Sequence, residues 1–374
     1  MTRFPKNIEI GFRRLLIKLL RLAAGSRNSV ITVTDFEHCK FLFVRQDRIG
    51  DVLVSTPLWW SLKRRYKNAS IDILLSTNNS FVLENDPNIR RRWVYDKGIS
   101  SSWRLIREIR RERYDFVIDL MDNPSATSTM FCLLSGARWT VGLEKENSYA
   151  YDVIVPLASR RDTHIVDRIS RLLIPFGIDP SNENLRIHYV VSQKAREFAR
   201  KAFAGNSLVP GTPIGVNISA GHEVRFWGID NFRRLIALLN KKQHKLSFVV
   251  LSKPSQRDFA DQIVQGFENV VLSPPTSTFD EFAALIEKMC LLITPDTSAV
   301  HLAAAFQVPS VVMYVQSDKN LRVWDPYKAP GEILVADVDD LRVIPPERVF
   351  EATLRMLPRL KQRRQRTHQV AMHP

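Results

Sequence analysis

The chain has 374 residues, 45% of them hydrophobic and 25% charged, which is ordinary for a globular protein and too long for a single core, so two domains are expected. Its three cysteines, Cys39, Cys132 and Cys290, lie far apart with no C-x-x-C spacing, which argues against a disulfide framework and a zinc site and fits a reducing cytosol. The net charge of +15 belongs mainly to the ends. Residues 1–30 carry +6 and residues 359–374 carry +5, a distribution that suits tails touching an anionic surface better than a nucleic-acid groove.

Residues 7–23 have the spacing of an amphipathic helix, with Ile8, Phe12, Leu15, Leu16, Leu19 and Leu22 on one face. Lys18 and Arg21 interrupt the apolar run, so it cannot span a bilayer. It can lie in a membrane interface, pack on its own domain, or be a cleaved signal peptide, and the sequence leaves these open.

The first informative stretch is Phe41 to Pro57, FLFVRQDRIGDVLVSTP. Phe41-Leu42-Phe43-Val44 predicts a short buried strand, Arg45 to Arg48 breaks it with charge, and Ile49-Gly50-Asp51 suggests a turn. Val52, Leu53, Leu58 and Leu62 then carry helical spacing. Strand, loop and helix in that order put Asp51 at the carboxyl end of a strand, where open α/β sheets bind ligands. A carboxylate there is favoured by the helix dipole and can act as a general base.

Strands follow at 71–75, at 94–95 and at 116–120, with helices over 103–113, 128–135 and 164–177 between or after them and a short segment at 139–142 that is given no type. Leu105, Ile106 and Ile109 point inward on the first of these helices, and its arginines point out. The pattern resets near 180–213, where a helix over 192–204 leads into a segment rich in Gly and Pro. The second half then repeats the scheme. Strands are predicted at 214–218, 246–251, 270–272, 291–293 and 310–315, and helices at 229–240, 255–266, 279–288 and 298–306. Strands alternating with helices imply mostly parallel sheets covered on both faces. The expected organisation is a basic amphipathic helix in 1–30, one α/β domain over 31–190, a second over 205–345, a terminal helix over 346–357 and a basic, unstructured tail over 358–374.

Two further stretches could carry chemistry. Thr294 to Ala305, TPDTSAVHLAAA, follows a buried strand and opens a helix of small residues. Asp296 or Thr297 is a natural N-cap, and the amides of such a helix end bind phosphate; the bland alternative is capping alone, with His301 a core histidine. Ser219 to Trp227, SAGHEVRFW, lies at the end of another strand, and Arg225 offers a fork of donors matched to phosphate oxygens. No G-x-G-x-x-G, Walker loop, H-E-x-x-H or G-x-S-x-G is present, so hydride transfer, ATP hydrolysis, zinc proteolysis and serine hydrolysis lack their usual sequence support.

Together these stretches resemble the heptosyltransferases of glycosyltransferase family 9. The family's R-x-D-x-I-G-D-x-x-x-x-T-P stands here as Arg45, Asp47, Ile49-Gly50-Asp51 and Thr56-Pro57, and its D-T-G-x-x-H-L-A-A-A as Asp296 to Ala305, with Val308-Pro309 after it. The resemblance runs from about 40 to 357. It implies a GT-B fold, two Rossmann-like domains facing each other across a cleft. It implies an inverting transfer of heptose from ADP-heptose to a lipopolysaccharide inner-core or similar anionic glycolipid, without a metal or other cofactor. Another nucleotide sugar, or a catalytically silent nucleotide-sugar-binding homologue, is the alternative. On this basis Asp51 is the catalytic base. Asp296, Thr297, Ser298, His301, Arg225 and Ser219 bind the donor, and Arg48, Lys63 and Arg64 the acceptor. The acceptor implies a cytoplasmic enzyme held peripherally at the inner membrane, with no nucleic-acid partner. Ser298 stands where the family has Gly, Gln256 near the place of an acid that contacts ribose, and Met121-Asp122-Asn123-Pro124 in place of a Q-G pair.

Overall fold

The structure, a computed structural model, describes residues 31–209, 212–242, 246–316 and 324–371. The helix anticipated over 7–23 lies outside them. The chain divides into two compact units, 1–185 and 186–374.

The first unit is built from β1 (Lys40–Val44), α1 (Ile49–Arg65), β2 (Ser70–Ser76), β3 (Arg91–Tyr95), α2 (Ile99–Glu112), β4 (Phe116–Asp119), α3 (Ala126–Leu134), β5 (Trp139–Leu143), β6 (Val153–Val155) and α4 (Ile165–Ser170). Its strands form one parallel six-stranded sheet in the order β3-β2-β1-β4-β5-β6. The order reverses between β1 and β4, and such a switch point leaves a crevice at the carboxyl ends of the two strands. At the opposite, amino ends the register is set by aromatics. Phe41 stacks on its partner Phe116 (5.1 Å), Phe116 stacks on its partner Trp139 (5.1 Å), and Phe176 meets Phe41 and Phe116 edge-on at 5.3 and 5.0 Å. An apolar floor at one end leaves the buried polar residues Arg45 and Asp119 to gather at the other.

The second unit comprises α5 (Gln193–Gly205), β7 (Ile214–Asn217), α6 (Ile229–Lys242), β8 (Phe248–Leu251), α7 (Arg257–Val264), β9 (Val270–Leu272), α8 (Phe279–Glu287), β10 (Leu291–Pro295), α9 (Ser298–Ala305), β11 (Ser310–Val315), β12 (Gly331–Ala336) and α10 (Pro346–Ala371). Its parallel sheet runs β12-β11-β10-β7-β8-β9, the same order in its own numbering, with the switch between β7 and β10. Helix α5 belongs to this unit and packs on α8.

Some local details differ from the sequence expectation. Ile49-Gly50-Asp51 is not a turn but the first turn of α1, because Arg48 is extended (φ −99°, ψ 162°) and its amide donates to Asp51 Oδ2 at 3.2 Å, closing the helix start. Pro57 sits inside α1 and cannot donate to the Leu53 carbonyl; the Thr56 hydroxyl does so instead at 2.8 Å. The helix expected over 164–177 is α4 followed by a tighter 3-10 segment, Arg171–Phe176, which contains Pro175. Strands β6 and β12 were not anticipated. Helix α10 continues past Pro358 to Ala371, where composition suggested an unstructured tail.

Candidate active site

Arg45 leaves β1 as a fully buried charge. A buried guanidinium must be paired, and each of its three nitrogens donates a hydrogen bond. Nε donates to the Asp51 carbonyl (3.1 Å), Nη2 to Asp51 Oδ1 (3.2 Å) and Nη1 to the Leu120 carbonyl (2.6 Å), while Nε also lies 3.3 Å from Asp47 Oδ1. Burial opposes the Arg45 charge, but Asp47, Asp51, Asp122 and Asp119 outweigh it and hold the proton more firmly. The effect on Asp51 is geometric. One carboxylate oxygen is fixed by Arg45 and the other by the Arg48 amide, on a side chain whose residue keeps 7% of its surface exposed. Burial pushes the Asp47 carboxyl up to about 7 against the pull of Arg45, and the neighbouring Asp51 adds to the rise.

Across the switch point, Asp119 ends β4 fully buried and accepts from Ser128 Oγ (2.8 Å), Tyr151 Oη (2.5 Å) and Lys145 Nζ (3.0 Å). Asp122 pairs with Arg168 at 2.7 Å, and Lys145 also donates to the Met121 carbonyl. These ion pairs brace the loop after β4, against which Arg45 packs through Leu120 and Met121.

In the second unit, Asp296 follows β10 and Thr297 caps α9 from an extended conformation, its Oγ1 accepting the Ala299 amide at 3.3 Å. Arg225 reaches over from the loop after β7, donating through Nη1 to the Asp296 carbonyl (3.1 Å) and pairing with Asp296 Oδ2 (3.0 Å). Asn217, buried at the end of β7, donates to Thr294 Oγ1 (2.9 Å) and Thr297 Oγ1 (3.4 Å) and accepts the Ser219 amide (3.1 Å). Ser219 Oγ in turn accepts the Lys253 amide at 2.9 Å, and Lys253 Nζ donates to the Ala220 carbonyl at 2.7 Å. Gln256 accepts the Ala220 amide at 3.3 Å. Ser298 opens α9, and His301 is buried one turn on, its ring 6.1 Å from that of Trp324. Burial raises the Tyr314 hydroxyl well above its ordinary range, with Asp296 and Asp325 adding to the shift, so it stays a neutral donor, here to the Trp324 carbonyl at 2.6 Å. The arrangement turns the amino end of α9 and a guanidinium toward the carboxyl edge of the sheet, a combination suited to a diphosphate.

The structure thus gathers Asp296, Thr297, Ser298, His301, Arg225 and Ser219 at one switch point, and Asp51 with Arg48 at the other. Lys63 and Arg64 are not brought to Asp51. They occupy the last turn of α1, roughly 18 Å along the helix from Asp51. There Lys63 Nζ donates to the Ala69 carbonyl at 2.7 Å and Arg64 pairs with Glu183. Sequence reasoning did not single out Arg45, Asp47, Asp119, Lys145, Tyr151 or Asn217 as site residues. A signal was available for three of them: Arg45, Asp119 and Asn217 are the first polar residues at the ends of apolar strand runs flanking the two switch points.

The family profile described as glycosyltransferase family 9 (heptosyltransferase) matches residues 102–340. Lipopolysaccharide heptosyltransferase 3 of Escherichia coli K12 is 27% identical over 340 residues, covering 83% of this chain and 95% of that protein. A glycosyl transferase family 9 structure from Veillonella parvula superposes with a TM-score of 0.74 at 20% identity, over 87% of this chain and 98% of that one. The E. coli heptosyltransferase WaaC solved with ADP-2-deoxy-2-fluoro heptose superposes with a TM-score of 0.68 at 17% identity, over 83% of this chain and 98% of that one. The fold is that of these GT-B heptosyltransferases, and the chain belongs to glycosyltransferase family 9, the heptosyltransferase family, and is a glycosyltransferase.

Proposed function

We propose that the protein transfers a heptose from ADP-heptose to an inner-core sugar of a lipopolysaccharide precursor with inversion at the anomeric carbon. The observation that carries this reading is the fixed Asp51 carboxylate at the start of α1, held by Arg45 on one oxygen and by a backbone amide on the other. In the proposed step Asp51 takes the proton of the acceptor hydroxyl as its oxygen bonds to the anomeric carbon. The bond from that carbon to the diphosphate breaks, and its electron pair leaves with ADP. The donor side is assigned to Asp296, Thr297, Ser298, His301, Arg225 and Ser219. Arg225 and the amides of α9 supply the positive potential that the departing diphosphate needs, a role a divalent ion can play elsewhere. The choice of ADP-heptose and of a lipopolysaccharide acceptor is supported by the relatives' names and by the WaaC complex. On the acceptor side the proposal retains Arg48, which is exposed beside Asp51.

No helix among the described residues is long and apolar enough to cross a membrane. A lipid-linked acceptor places the reaction at the inner membrane's cytoplasmic face, and the basic ends of the sequence fit peripheral attachment there. The test is twofold. Asp51→Asn should lower turnover about 10²- to 10⁴-fold, the usual worth of a general base, with ADP affinity unchanged by isothermal titration. Thermal shifts with ADP, UDP, GDP and CMP should rank ADP first. Wild-type rates in Asp51→Asn remove Asp51 from the mechanism, and stabilisation by UDP alone replaces the donor.

A further inference from the structure

The arginine-rich helix α2 has no part in the chemistry so far, yet its outer face is unusual. Its apolar stripe, Leu105, Ile106 and Ile109, is buried in the core of the first unit. On the opposite side Trp103 is 56% exposed, where an indole is ordinarily well covered. No aromatic ring or guanidinium among the described residues stacks on it. At 3.6 residues per turn, Arg107, Arg111 and Arg104 lie with Trp103 within an arc of about 100°. All three are exposed, and none makes a hydrogen bond or an ion pair with a described residue. The acids nearby do not neutralise them. Glu108 borders the arc, half-buried, and pairs with none of the three. Asp96, before the helix, accepts the Gly98 amide (2.9 Å) and the Ser101 hydroxyl, and Glu112 is taken by Arg90 and Arg91.

The place of this face in the fold matters. Helix α2 joins the parallel strands β3 and β4, so it runs back from the carboxyl edge of the sheet to the amino edge. Trp103 lies about 6 Å from its start, at the same edge as Asp51. We propose that this face of α2 rests on an anionic bilayer surface, with Trp103 at the level of the headgroups and Arg104, Arg107 and Arg111 against lipid phosphates. The charges are complementary, and each guanidinium presents a fork matched to phosphate oxygens. The indole joins an apolar body to a polar N–H, the combination that favours a membrane interface. A nucleic-acid platform stacks successive bases on several rings, and α2 offers one. The proposal deepens the reading of a transferase with a lipid-linked acceptor, giving it a contact beyond the basic ends, and its test needs no turnover.

The experiment uses the full chain and vesicles of phosphatidylglycerol and phosphatidylcholine. Changing Arg104, Arg107 and Arg111 together to Gln should lower partitioning onto the vesicles about 10- to 100-fold. The same protein should keep its kcat/KM with ADP-heptose and a deacylated inner-core oligosaccharide. Vesicles whose lipids carry bromine close to the headgroup should quench part of the tryptophan emission of the wild-type protein. Trp103→Phe should remove that part, because Trp59, Trp93, Trp139 and Trp227 are buried. Equal quenching in Trp103→Phe, or unchanged partitioning of the triple variant, overturns the proposal. Unchanged partitioning with a raised KM for the oligosaccharide hands the arginines to the acceptor's own anionic groups, and loss of single-stranded RNA binding in its place hands them to nucleic acid. The two readings fail separately: wild-type rates in Asp51→Asn remove the base and leave vesicle binding by α2 standing.

Discussion

At the residue scale the first unit turns on Arg45. A guanidinium with no exposed surface is costly unless every donor is used, and its partners are the two acids of the loop and α1 and the carbonyl that ends the neighbouring strand. Removing one member of such a set leaves an uncompensated buried charge, typically about 3–5 kcal/mol. The arrangement also has a pH signature in stability. Asp47 is held near 7 when folded against an ordinary value of 3.8, so between those values the folded chain binds a proton that the unfolded chain has released. The stability from that proton is present at the acid end of the window and is lost as pH rises through about 7. Asp47→Asn has no such loss. Urea denaturation of both proteins at about pH 5 and about pH 8 should show the variant gaining on wild type at the higher pH. A difference that does not change with pH would place Asp47 in its ordinary range.

At the element scale the loop after β4 is held by groups from β5 and the segment that follows it. Gly142 in β5 lies directly under Tyr151, and a Cβ there would come within 2.4 Å of the ring. Tyr151 in turn donates to Asp119 at 2.5 Å. Gly142→Ala should therefore cost about 1–3 kcal/mol in urea denaturation, through overpacking and a displaced tyrosine. It should leave ADP affinity intact, because the assigned donor residues belong to the other unit. A variant as stable as wild type would mean that the ring has room to move. Element boundaries show why some structure was easy to read and some was not. Strands β1, β4, β7 and β10 are central, buried on both faces and therefore continuous apolar runs. The edge strands β6 and β12 are half exposed, and β6 has only three residues, so neither carries that run. At the start of α1, Gly50 suggests a turn, whereas capping by Asp51 makes the segment helical.

At the scale of the whole molecule, two units repeat one strand order, and each keeps its candidate chemistry at the carboxyl edge of its own sheet. The charge is distributed differently: residues 1–30 and 359–374 hold +11 of the net +15. A polybasic segment gains roughly 1 kcal/mol per Lys or Arg near an anionic surface. Deleting residues 1–24 should weaken sedimentation with phosphatidylglycerol vesicles while turnover on a soluble acceptor is preserved. Equal vesicle binding by the truncated protein would assign membrane contact elsewhere in the chain.

The alternation of central strands and helices, the positions of Asp51 and of the Asp296 to Ala305 segment, and the family resemblance were legible in the sequence, because a central parallel strand and a helix start leave local marks in residue type. The separation of Lys63 and Arg64 from Asp51 was also implicit there, since a helix advances about 1.5 Å per residue. What only the tertiary structure decided is how the acid is held. Arg45 meets the Leu120 carbonyl 75 residues away, and Asn217 meets Thr294 77 residues away. A buried polar group takes its partners from whichever strands the sheet places beside it, and strand order is a property of the packed sheet that no local window of sequence contains.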